Sequence, residues 1–212
     1  MSDTGERGLL KELSRLTRDK DARLSAVGDM SRLLSNPSEK VRAKALWLLG
    51  ETGLTHPSLV APHIAVIAQF LASDSALLRE RALNALGRIG RGDHRLVEPY
   101  LADMRTLAGD SEPPVRLAFI WACENIATSA PELFQNDMPL FASLLEDDND
   151  RVRIEAPEIF RVLGKRKPEY ARPYRQTLLK LSETDINEVV RIHAAGAIRA
   201  MDKGAAENAA DE

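Results

Sequence analysis

The chain has 212 residues, of which 44% are hydrophobic, 5% aromatic and 29% charged, with a formal net charge of −3. That length suits one extended domain or two small ones, and the apolar fraction excludes disorder throughout. The near-balanced charge provides no global basic field for nucleic acid or an anionic membrane. The single cysteine, Cys123, excludes an intramolecular disulfide and a multi-cysteine zinc site; within the apolar run 118–127 it reads as a small buried hydrophobe. No run of roughly eighteen apolar residues predicts a membrane span. The start is polar and charged (Ser2, Asp3, Glu6, Arg7) without an apolar signal-peptide core, so a cytoplasmic protein is expected.

In chain order, the first predicted element is a helix over about 6–18, with Leu9, Leu10, Leu13 and Leu16 on one stripe. It reads as an N-terminal cap within residues 1–20. A repeat follows. Val41-Arg42, Leu78-Arg79, Val115-Arg116, Val152-Arg153 and Val190-Arg191 each open a similar segment, and the arginines at 42, 79, 116, 153 and 191 are 37, 37, 37 and 38 residues apart. Prolines recur earlier in the unit at 62, 99 and 173, in the same phase. Pro is tolerated in a first helical turn, so each is expected early in a first helix.

Each unit divides into two amphipathic helices. In the second, apolar residues fall at positions 0, +4 and +8, as in Val41, Ala45, Leu49 and Val115, Phe119, Cys123. That is a helical stripe, not a strand alternation. The expected pairs are 21–35 with 38–53, 57–73 with 75–91, 93–109 with 112–128, 130–146 with 149–165 and 168–183 with 186–202. Polar turns such as Ser73-Asp74-Ser75 and Asp147 to Asp150 separate them and supply caps. Pro157 is expected to interrupt the fourth second helix, and Gly50, Gly53, Gly87, Gly90 and Gly164 to end helices. One helix pair cannot bury its own apolar face, so the expectation is an all-α superhelix over residues 21–202. A polar tail over 203–212 should fray.

The recurring proline, turn aspartate, Val-Arg and small residue resemble the HEAT-repeat family over about residues 20–202. Pro62, Pro99 and Pro173 match the first element; Asp74, Asp110, Asp147 and Asp185 match the second; the five arginines match the third. The first unit departs, with Asn36 for Asp and no proline in register, and the fourth lacks the proline. The resemblance implies that Arg42, Arg79, Arg116, Arg153 and Arg191, with Asp110, Asp147 and Asp185, form a structural ladder between neighbouring repeats. It also implies that the second helices line a concave ligand face. Fold resemblance alone does not assign activity.

Catalytic signals are absent from the sequence. His56, His63, His94 and His193 form no His-Glu-x-x-His or His/Cys pattern. The His-Glu iron pairs of HEAT-like deoxyhypusine hydroxylases are missing, and no cofactor is expected. His193 reads as an exposed helix-face residue, and Asp147–Asp150 lacks the glycine and distant glutamate of a calcium loop.

Six positions past each Val or Leu, roughly 240° around the helix from the core stripe, stand Trp47, Asn84, Trp121 and Glu158. Neighbouring columns supply Lys44, Arg81 and Glu155, and Glu51, Arg88 and Asn125. Large exposed aromatics are enriched at interaction sites; the alternative is that each tryptophan packs between adjacent second helices. The expected function is a non-catalytic scaffold holding another protein or peptide in the groove, with Trp47 and Trp121 as anchors and Lys44, Arg81, Asn84, Arg88, Asn125, Glu155 and Glu158 around them. Two alternatives stay open. One is a HEAT-like DNA-glycosylase or DNA-binding solenoid using Arg79, Arg81, Arg88, Arg91 and Arg95, against which the acidic fourth unit counts. The other is an enzyme resembling the phycobilin lyases.

Overall fold

The computed structural model describes residues 3–210, and the described residues form helices and turns without a strand. The outermost residues of the expected cap and tail, 1–2 and 211–212, lie outside them. The chain divides into two compact units, residues 1–107 and 108–212.

The first unit opens with α1 (Asp3–Arg18), whose Leu13 and Leu16 are buried. Then come α2 (Lys20–Ser25), α3 (Val27–Arg32), α4 (Glu39–Thr55), α5 (Pro57–Val60), α6 (Ile64–Ala68), α7 (Ala76–Gly92) and α8 (Leu101–Thr106). The long helices α4 and α7 pack on each other, and α1 packs on α4. Ser38 and Ser75 cap them, accepting from Val41 N at 3.3 Å and Leu78 N at 3.4 Å. Leu46, Leu49, Leu83, Leu86 and Ile89 fill the core.

The second unit contains α9 (Pro113–Ala127), α10 (Met138–Leu144), α11 (Asp150–Arg166), α12 (Pro168–Ala171), α13 (Arg175–Thr184) and α14 (Glu188–Ala210). Here α11 packs against both α9 and α14, and α13 packs on α14. The core is richer in aromatics: Phe119 and Phe134 each lie 6.0 Å from Phe141, and Phe160 lies 5.5 Å from Tyr174. Cys123 is buried beside them in sequence, as a small core residue.

The second helices follow the sequence closely; the first helices do not run continuously. Pro62, Pro99 and Pro173 fall in 3₁₀ turns at Ala61–His63, Glu98–Tyr100 and Arg172–Tyr174. A proline has no N–H for the carbonyl four residues back, so the α-ladder breaks there and tightens locally. Conversely, Pro157 does not interrupt its helix. It is buried inside α11, which continues to Arg166. Val152, Ala156, Phe160 and Leu163 fix the surrounding turns in the core, and that burial offsets one lost hydrogen bond.

The glycines also serve another purpose than ending helices. No described glycine has positive φ. Gly50 instead lies where a Cβ would stand 2.7 Å from Ala85 Cα, so its missing side chain lets α4 and α7 touch. Gly204 does the same for α14, where a Cβ would meet Gly164 O at 2.6 Å. That contact carries α14 past Lys203, the expected start of the polar tail, and the helix extends to Ala210.

Candidate interaction surfaces on the second helices

The recurring arginines reach back across their own turns. In each case Nη1 donates to a carbonyl six residues earlier: Arg42 to Asn36 O at 2.6 Å, Arg79 to Ser73 O at 2.8 Å, Arg116 to Asp110 O at 2.7 Å. Arg153 reaches Asp147 O and Arg191 reaches Asp185 O, both at 2.7 Å. Within the second unit the same side chains grip the following repeat. Arg116 donates to both Asp147 oxygens at 2.7 Å, and Arg153 Nε donates to Asp185 at 3.1 Å. The aspartates meanwhile hold their own turns: Asp110, Asp147 and Asp185 accept from the N–H two residues on. Burial raises the Asp147 pKa, but the Arg116 bonds and the Asn149 N–H outweigh it and hold the carboxyl below its ordinary range. Asp147 pairs with Arg116, Asn149 caps α11 and Asp150 pairs with Arg153, and the described residues contain no metal-binding group of three His, Cys, Asp or Glu.

In the first unit, α4 and α7 present Lys44, Trp47, Glu51, Arg81 and Arg88. Trp47 is half-buried, with the Lys44 ammonium 4.2 Å from its ring centroid. Burial, then the nearby Arg81 charge, lowers the Lys44 pKa below the ordinary lysine value, while Glu51 opposes the shift. Arg88 Nε pairs with Glu51 at 2.8 Å, and Arg81 with Glu80 at 3.1 Å. Asn84, expected on the surface, is buried. Of the arginines weighed for nucleic acid, Arg79 donates to turn carbonyls, Arg88 pairs with Glu51, and the exposed Arg95 pairs with Asp93 at 2.8 Å.

In the second unit, Trp121 on α9 is 38% exposed, and Asn125 Nδ2 donates to its carbonyl at 2.8 Å. Glu155 and Glu158 on α11 are half-buried. Glu158 pairs with Arg161 Nε at 2.5 Å, and His193 Nδ1 of α14 lies 3.2 Å from it without forming a hydrogen bond. His193 is therefore half-covered beside a carboxylate, not a free helix-face residue.

Sequence reasoning missed Glu124. Its Oε1 is buried without a hydrogen-bond partner. Burial, then the charges of Glu155 and Glu158, pushes its pKa up to about 8 against the pull of Arg161, so the carboxyl is mostly protonated at neutral pH. The available signal was a glutamate breaking the apolar run Ala122, Cys123, Ile126, Ala127.

Residues 64–157 match the family model of HEAT repeats, so that part of the chain is similar to the HEAT-repeat family, and the described residues as a whole form an α-helical repeat fold. Among solved structures, it is similar to a designed armadillo repeat protein in complex with the peptide (KR)4, at 20% identity and TM-score 0.70, covering 90% of this chain and 86% of that one. An engineered protein matches at 18% identity and TM-score 0.69, over 91% and 85%. A third, computationally designed armadillo repeat proteins for modular peptide recognition, matches at 20% identity and TM-score 0.64, over 90% and 86%. These likenesses define the fold. No curated protein matches the sequence. No helix among the described residues is long and apolar enough to cross a membrane.

Proposed function

We propose that this chain is a non-catalytic scaffold that binds another protein or a peptide on the outward faces of its second helices. The observation that carries this reading is Trp121, a large aromatic 38% exposed on α9 while the opposite face of that helix is buried. An exposed tryptophan on a rigid helix loses little conformational freedom on binding, and such residues dominate interface energetics. Of the structures of similar fold, one is in complex with the peptide (KR)4 and another was designed for modular peptide recognition, which supports a peptide-shaped ligand. The formal net charge of −3 and the carboxylates Glu155 and Glu158 on α11 weigh against the nucleic-acid alternative, because binding to a phosphate backbone rests on many cations.

The test compares capture from lysate of the native host by the wild-type chain and by Trp121→Ala. At least one protein should be retained by wild type and lost by the variant, while the two proteins melt within a few degrees of each other. Identical capture by both would remove Trp121 from the interface.

A further inference from the structure

A pocket of 380 Å³ opens between α4 and α7, lined by Lys40, Ala43, Lys44, Trp47, Leu77 and Arg81. Three of its six side chains are cationic. Only Arg81 among them has a carboxylate partner, Glu80, and that pair is partly exposed; Lys40 and Lys44 have no ion pair among the described residues. The other walls are apolar. We infer that this pocket receives a carboxylate side chain of an acidic, leucine-bearing segment of the bound protein, with the carboxylate between Lys44 and Arg81 and the apolar neighbour on Trp47 and Leu77. This rests on the scaffold reading and adds to it the chemistry of one partner segment.

Two like charges are held close here while one of them is partly desolvated. Burial and Arg81 both disfavour the charged form of Lys44. An arriving anion offsets the repulsion between the two cations and compensates the buried ammonium with an opposite charge, whereas a cation would add to the repulsion. The Lys44 ammonium lies 4.2 Å from the Trp47 ring centroid, so a cation and an apolar surface stand side by side in the pocket lining. The volume fits one or two side chains. A nucleic-acid backbone would instead need a row of accessible cations at successive phosphates, and Arg88 beyond the pocket is spent on Glu51 at 2.8 Å.

The test uses the full wild-type chain, titrated by calorimetry with the capped peptide Glu-Leu-Asp-Glu-Leu-Ser. Saturable binding is expected, weakening as salt is raised from low to physiological strength. Lys44→Gln and Arg81→Gln should each weaken it about tenfold, with melting curves confirming the fold. The double reversal Lys44→Glu, Arg81→Glu should prefer the capped peptide Lys-Leu-Arg-Lys-Leu-Ser, an exchange that a purely structural role for these residues would not produce. A thymidine oligonucleotide should bind at least about tenfold more weakly than the acidic peptide. Absence of acidic-peptide binding, unchanged affinity in either glutamine variant, or tighter binding of the oligonucleotide would overturn the pocket assignment. None of those results touches Trp121-dependent capture, so failure of this inference and failure of the scaffold reading are separately visible.

Discussion

Arg116 holds both carboxylate oxygens of Asp147 at 2.7 Å, from a side chain that also donates to Asp110 O at 2.7 Å. One guanidinium thereby closes its own turn and fastens the next one. The pair is largely shielded, with side-chain exposures of 15% and 7%. Removing one partner of such a pair leaves the other buried and uncompensated. Arg116→Ala should therefore cost about 2–4 kcal/mol of stability, and Arg116→Lys should recover only part, because an ammonium cannot match the bidentate geometry. Denaturant titrations of the three proteins check this; equal midpoints would contradict it.

The same pair fixes a low-pH behaviour. The Asp147 pKa is held below its ordinary value in the folded chain, so its contribution is present above that value and lost as pH falls through the folded pKa. Wild type should lose stability on acidification below about pH 4 more steeply than Asp147→Asn. Parallel pH profiles of the two would contradict the assignment.

Glu124 has the opposite sign. Its folded pKa of about 8 lies above the ordinary 4.5, so folding favours the protonated form. The stability it permits is complete below about pH 4.5 and declines as pH rises towards 8. Ionising it costs roughly 3–5 kcal/mol at the upper end of that window. Glu124→Gln should match wild type near pH 4.5 and exceed it progressively up to pH 8. Melting both across that range decides the matter; a constant difference would show that Glu124 does not titrate there.

Gly50 tests the contact between α4 and α7. A Cβ there would stand 2.7 Å from Ala85 Cα, a backbone atom that cannot rotate away. Gly50→Ala should destabilise by about 1–3 kcal/mol despite alanine's better helix propensity. Neutral or raised stability would show that the helices have room to separate.

The second helices and the fold class were legible because each repeat carries the same signals: an apolar stripe at 0, +4 and +8, and an arginine in fixed phase. The breaks in the first helices were less so, since Pro62 or Pro173 is compatible with either a first turn or a 3₁₀ bend, and only packing decides between them. Pro157 shows the limit from the other side, because burial by neighbouring helices overrides a local breaker. Gly50 was read as a terminator when its function is tertiary contact, which spacing within one helix does not reveal. At the candidate surfaces, the helical angle identified Trp121 as outward-facing, yet it could not show that Asn84 would be covered or that Glu158 would already pair with Arg161.

Protein binding on the outward faces of the second helices is measured most directly by calorimetric titration of the captured partner against wild type, Arg116→Ala and Trp121→Ala. Arg116→Ala should melt earlier but bind with nearly unchanged intrinsic affinity at a temperature where it is folded. Trp121→Ala should melt close to wild type and lose about 2 kcal/mol or more of binding. The reverse pattern, with Trp121→Ala unfolding and its folded fraction binding normally, would make the tryptophan a structural residue and contradict the claim.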